Sequence, residues 1–170
     1  HPNYSVKDFV KLFKGQRTLF THCVYTKDDE FKLFDKNLHF ITHCAFSNRL
    51  LSRKTFDLKA ALRHNISVNL GTDGLSSNIS LSMLDEMRAN LLIHKNFKDL
   101  NELAKKLILM ATLKPAQALN LELGEIKVGK IADFSVFEID TCEINQIALQ
   151  FLLNAKFVQK LFIKGQECKL

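Results

Sequence analysis

No Cys-x-x-Cys pair occurs among the four cysteines, Cys23, Cys44, Cys142 and Cys168. A structural zinc site of the finger or ribbon kind is therefore not expected. Cys23 and Cys44 fall inside apolar runs, where a free thiol behaves as a small buried hydrophobe, and such usage suits a reducing cytoplasm better than a secreted scaffold. No stretch approaches the roughly 18 apolar residues of a membrane span, so no membrane partner is expected. No charged–apolar–small leader follows the first residue, His1. There is no arginine-rich run either. The excess of 24 Lys and Arg over 18 Asp and Glu is scattered (Lys7, Lys11, Lys14, Lys27, Lys32, Lys105) and interleaved with acids. That pattern is a solvated lysine-rich surface and not a nucleic-acid footprint. The absence with most consequence is His-x-His, which occurs nowhere in the 170 residues.

What is present alternates between strand and helix signals. Apolar, β-prone runs at Thr18–Tyr25, Leu38–Cys44 and Ile66–Thr72 read as buried strands. A short helix capped by Thr26 is expected over Thr26–Asp35, and another over Thr55–His64. Continuous apolar strands separated by helices imply parallel βα units. Three such units are too few for a closed barrel or a doubly wound sheet, and they look like a piece of something larger. Long helices are expected over Ile79–His94, with Met83, Leu84, Met87, Leu91 and Leu92 facing inward, and over Leu100–Leu113; a shorter one starts around Pro115. Beyond Leu121 the pattern becomes glycine-punctuated and alternating. Leu121–Val136 reads as short strands with a tight turn at Gly129, Glu143–Leu153 as a helix, and Phe157–Ile163 as a last strand.

Each of the three early strands ends in a polar group: His22, His43 and Asp73. Functional groups of parallel α/β folds collect at the C-terminal ends of strands. Taken singly each has a plain alternative, since strand-end histidines are often packing residues and an Asp in Gly-Thr-Asp-Gly can be a turn residue. Ser76, Ser77 and Asn78 could simply cap the following helix.

The combination is more specific. The runs THCVY, ITHCAFSNRLL and VNLGTDGLSSNISLSMLDEMR resemble the last three βα units, about strands six to eight, of the amidohydrolase superfamily's TIM-type (β/α)8 barrel. The segment ATLKPAQALNLELGEIKVGKIADFSVF resembles that superfamily's exit from the barrel into a small β-sandwich, through Gly124, Ile126, Gly129, Lys130, Ala132 and Asp133. The fold implied is α/β: residues 1–120 as the C-terminal part of the barrel and 121–170 as part of the sandwich. SNRLLS and TDGLSSNISLSMLDEMR most resemble the aminofutalosine deaminase group, which implies 6-amino-6-deoxyfutalosine as substrate and a role in menaquinone biosynthesis. Related chlorohydrolases and guanine- or adenosine-type deaminases are the neighbouring readings. A non-catalytic half-barrel is a further one.

The resemblance also implies roles. Asp73 matches the aspartate that ends the eighth strand, binds a divalent metal (zinc or iron) and takes a proton from the activated water. His22 matches the sixth-strand histidine that stabilises the addition intermediate. His43, Asn48, Arg49 and Ser77 are substrate-binding candidates, with Arg49 suited to a substrate carboxylate. The superfamily's His-x-His pair, its fifth-strand histidine and the glutamate that follows are missing, and nothing around His1 suits that histidine. The expectation is a chain lacking its N-terminal part, with most metal ligands elsewhere and no activity alone. The partners implied are a small molecule and no nucleic acid, with room for a homodimer of the full-length protein.

Overall fold

The computed structural model of the protein describes residues 5–140 and 143–169. His1 and Cys142, both considered above, lie outside the described residues. A parallel sheet holds three strands in the order β1 (Thr18–Thr21), β2 (His39–His43) and β3 (Ser67–Leu70). Thr18 pairs with His39 and Ile41 with Val68, so the three strand ends lie side by side along one edge of the sheet. Around it stand α1 (Val6–Lys11), α2 (Ala45–Leu51), α3 (Leu58–Arg63), α4 (Met83–Ile93), α5 (Leu100–Ala111) and α6 (Leu113–Leu119). The tail adds β4 (Phe134–Phe137), α7 (Ile147–Asn154), β5 (Val158–Ile163) and β6 (Gln166–Cys168), with the three strands forming an antiparallel sheet.

One core joins the helices to the parallel sheet. Ile41 and Val68 from the sheet, Leu103 and Leu107 from α5, and Leu152 from α7 are all buried in it. Aromatic edges lock its far side, with Phe20 and Phe34 at 5.2 Å in a T-shaped arrangement. Arg88 of α4 donates through Nε to the Leu152 carbonyl at 2.7 Å and through Nη2 to the Ala155 carbonyl, tying the end of α7 to α4.

Several expected elements differ in extent. The first strand stops at Thr21 because His22 and Cys23 both take left-handed backbone angles (φ 71° and 49°), which an extended strand does not accept. Cys44 is not within the second strand either; it is the N-cap of α2, a helix that was not anticipated. Asp28–Leu33 is a 3₁₀ helix entered from Lys27, whose N–H donates to Glu30 Oε2 at 2.8 Å, and Thr26 does not cap it. The Thr55 helix begins only at Leu58, because Asp57 accepts from the Ala60 N–H and sets the start there. α4 likewise begins at Met83 and not Ile79. Ser82 caps it through Asp85, while Asn78 and Ser80 each accept a backbone N–H two residues on and hold the preceding loop as turns. Leu92, expected inward, is 76% exposed.

In the tail, only Phe134–Phe137 of the expected Leu121–Val136 strands is a strand. β6 was not anticipated. It follows β5 through Lys164 and Gly165, both left-handed (φ 51° and 77°), the pair of angles that a two-residue hairpin turn requires. Gly124 and Gly129 are also left-handed (φ 83° and 88°), but their surroundings differ. A methyl group on Gly124 would overlap the Thr112 carbonyl and lie 2.8 Å from Leu113 Cα, whereas nothing lies near Gly129. Gly129→Ala is expected to lose about 1 kcal/mol of unfolding free energy from backbone strain alone. Gly124→Ala should lose at least about twice that, because backbone must move as well. Urea unfolding of the two variants checks this, and equal losses would show that the overlap at Thr112 is relieved without cost.

Candidate functional site

The parallel register brings His22, just past β1, His43, the last residue of β2, and Asp73, three residues past β3, to the same edge of the sheet. Asp73 has a left-handed backbone (φ 58°) in the loop that follows β3, and it is exposed. One carboxylate oxygen, Oδ2, accepts from the Ser47 hydroxyl at 2.6 Å and from the Ser77 hydroxyl at 3.0 Å. Those two bonds, Ser47 first, hold its pKa below the usual carboxylate value, with a smaller contribution from the nearby His22 charge. Asp73 is thus an anion fixed through Oδ2, with the Gly74 N–H as a further, weaker partner of the carboxylate.

Behind it runs a buried polar chain. His22 Nδ1 meets Asn48 Oδ1 at 2.8 Å, and Asn48 Nδ2 meets His43 Nδ1 at 3.1 Å. His43 Nε2 meets His94 Nε2 at 3.1 Å, and His94 Nε2 also lies 3.1 Å from Asn90 Oδ1. Burial, then the mutual effect of the two rings, pushes the His43 pKa down to about 3, while burial pushes His94 to about 4. Both imidazoles are neutral at pH 7.

Glu86 supports this arrangement from α4. Its Oε1 accepts from the backbone N–H groups of Ala45 and, at 3.3 Å, Phe46. Its Oε2 accepts from Asn78 Nδ2 at 3.1 Å, and that same amide donates to the Thr72 carbonyl at 2.7 Å. Burial raises the Glu86 pKa in spite of these bonds. Cys44, next to it, is pushed up to about 12 by burial and by the Asp73 and Glu86 charges, and Cys23 to about 11 by burial, so neither is a nucleophile at neutral pH.

The sequence-predicted residues therefore divide into two groups. Asp73 and Arg49 are exposed and His22 is half-buried. His43, Asn48 and Ser77 are buried and engaged with neighbours within the chain. The Arg49 guanidinium donates to the Arg53 carbonyl at 2.9 Å. Glu86, Asn90 and His94 were not anticipated. Their spacing of four residues on one helix was the available signal, a polar stripe that runs alongside the apolar one.

Among the described residues, no three His, Cys, Asp or Glu side chains converge to hold a metal ion. Asp73 fits one corner of such a site: it is anionic, oriented and exposed. A catalytic metal needs about three protein ligands, so the set is not completed by these residues.

The sequence matches the amidohydrolase family model over residues 3–168. This chain belongs to the amidohydrolase family. Among its amidohydrolase relatives, it is 47% identical to an adenosine deaminase of Helicobacter pylori over 94% of its own length and 39% of that protein's. It is 37% identical to an aminodeoxyfutalosine deaminase of Nitratiruptor over 98% of its length and 41% of the relative's. A solved structure of Helicobacter pylori aminofutalosine deaminase with methylthio-coformycin superposes with a TM-score of 0.91 at 44% identity, over 97% of this chain and 41% of that one. This amidohydrolase chain spans about two fifths of the length of the relatives it matches. Its α/β fold is that of part of those barrel proteins.

The two depressed imidazoles carry a pH signature. Unfolded, each takes up a proton near 6.5; folded, they resist until about 4 and 3. Their contribution to stability is present above pH 6.5 and is lost as pH falls through the folded-state values. The Tm is expected to fall between pH 7 and pH 4, and to fall less steeply in His94→Gln. Calorimetric melts at both pH values check this, and identical slopes in the two proteins would count against it.

Proposed function

We propose that the full-length protein carrying this chain is a metal-dependent nucleoside deaminase acting on 6-amino-6-deoxyfutalosine, on the futalosine route to menaquinone. In this reading residues 1–120 supply strands six to eight of the barrel and 121–170 part of the β-sandwich. The observation that carries it is the Asp73 carboxylate: ionised, exposed, anchored at one oxygen by Ser47 and Ser77, and beside His22 at the strand ends.

The reaction consumes water at a ring carbon bearing an amino group, leaves a carbonyl there and releases ammonia. A divalent cation, zinc or iron, held in part by Asp73 and otherwise by residues outside this chain, supplies the Lewis acid that brings water's pKa near neutrality. Asp73 would be one of that ion's ligands, and its lowered pKa keeps it ionised and available as a transient proton carrier between the attacking water and the leaving amine. Ser47 and Ser77 keep the carboxylate from rotating. His22 offers its second ring nitrogen to the reacting centre. Arg49, exposed on α2, can meet a substrate carboxylate with a paired hydrogen bond. The free thiols suit a cytoplasmic enzyme, and a homodimer of the full-length protein is part of the same proposal.

A second reading, an adenosine-type deaminase, is favoured by the 47% identity to the Helicobacter protein of that name. The chemistry is the same, and the substrate's side group distinguishes the two. Side-by-side ammonia-release assays of the zinc- or iron-loaded full-length protein with 6-amino-6-deoxyfutalosine, adenosine and 5′-deoxyadenosine decide between them; the first should give the highest kcat/KM. Asp73→Asn is expected to lower kcat on the order of 10²-fold or more. The 170-residue chain alone should show no turnover, and activity from it with added metal would refute the placing of the other ligands elsewhere.

A further inference from the structure

Asn48, His43 and His94 lie wholly behind the reacting face, yet they form an unbroken line of hydrogen bonds ending on His22. We propose that Asn48, His43 and His94, anchored by Asn90 of α4, form a positioning relay that fixes His22 as its Nδ1–H tautomer and keeps its Nε2 lone pair free for the reacting centre. This rests on the deaminase reading for its consequence but not for its geometry.

A carboxamide has one accepting end and one donating end. Asn48 Oδ1 can only accept, so the His22 nitrogen 2.8 Å from it carries the proton. Asn48 Nδ2 can only donate, so His43 Nδ1 carries a lone pair and the His43 proton resides on Nε2. That N–H faces two acceptors. One is His94 Nε2 at 3.1 Å; the other is Asn90 Oδ1, to which His43 is also hydrogen-bonded. Asn90 cannot turn over, because its Nδ2 donates to the Glu86 carbonyl at 2.8 Å within α4. Asn90 Oδ1 therefore accepts at the inner end of the relay, where His43 Nε2 and His94 Nε2 both face it, and the direction of the line is set by Asn48, which accepts from His22 and donates to His43. All four relay residues are buried, with Asn90 and His43 at 0% exposure, so water has little access to substitute for a missing bond.

The consequence is specific. An Nδ1–H imidazole presents a lone pair at Nε2 and cannot donate there until it gains a proton. Neutral His22 then meets the attacking water as an acceptor at Nε2, aligning its O–H and lone pairs, while Asp73 carries the proton to the leaving amine. The opposite tautomer would present a donor there instead. A ligand whose tautomer is set by the partner of its other nitrogen follows the same logic in triads and metal sites.

The test uses full-length protein labelled with ¹⁵N at histidine, metal-loaded, at mildly alkaline pH. Long-range ¹H–¹⁵N correlation should show His22 as Nδ1–H, the less common form of a free side chain. Asn48→Ala should return it to Nε2–H. His94→Leu should shift the His22 pattern toward a mixture and lower kcat about 10–100-fold with KM little changed. His94→Gln, which can accept the same bond, should restore the wild-type pattern and most of kcat; it is also the variant to read if His94→Leu fails to fold. His22 found as Nε2–H in the wild-type protein overturns the proposal, as does an unchanged His22 pattern in both Asn48→Ala and His94→Leu. The spectra need no substrate, so a wrong deaminase reading would appear as missing turnover with the tautomer intact.

Discussion

Glu86 is buried on α4, and its carboxylate meets three separate segments at once: the first N–H groups of α2, the Asn78 amide, and through that amide the carbonyl of Thr72 beside Asp73. A buried carboxylate is unfavourable unless its lone pairs are satisfied. Here they are satisfied by donors that have no partner inside their own helix or loop. The result fixes where α2 begins. Ser47 and Asn48 occupy its first turn, so one joint governs both the hydroxyl that holds Asp73 and the amide that meets His22. The two functional ends of the site share one foundation.

The electrostatic layout follows from depth. At the rim, Asp73 is exposed, hydrogen-bonded through one oxygen and held firmly ionised. Beneath it, His43 and His94 are held neutral by burial, so no positive charge from them weakens the rim's attraction for a cation. Polarity is carried inward by bond direction and not by net charge. That arrangement tolerates a low-dielectric interior better than buried ions would.

Much of this was legible in the sequence. The three parallel strands followed from apolar runs separated by helical segments, and His22, His43 and Asp73 stood at their ends. Three things were not legible. The stripe Glu86–Asn90–His94 lies on the buried side of a helix whose apolar residues alone suggested a different inward face, so Leu92 was assigned inward when polar residues held that place. Helix α2 was hidden because its start depends on a carboxylate from forty residues away, not on a capping residue of its own. The loop around Gly124 to Asp133 alternates like a strand. Its conformation is instead set by two left-handed glycines and by Asp133, whose Oδ1 accepts the Lys164 N–H at 2.7 Å. Local pattern fixes an element's type more readily than a long-range hydrogen bond can be foreseen.

The order of the parallel sheet has a practical side. β1 and β3 are its outer strands, and among the described residues each shows one row of backbone N–H and C=O groups with no strand beside it. Leu19 of β1 adds an exposed apolar side chain to one of those margins. Such margins accept any extended chain of suitable register, including another copy of themselves. With two such borders, the solution behaviour of the 170-residue chain will depend steeply on concentration.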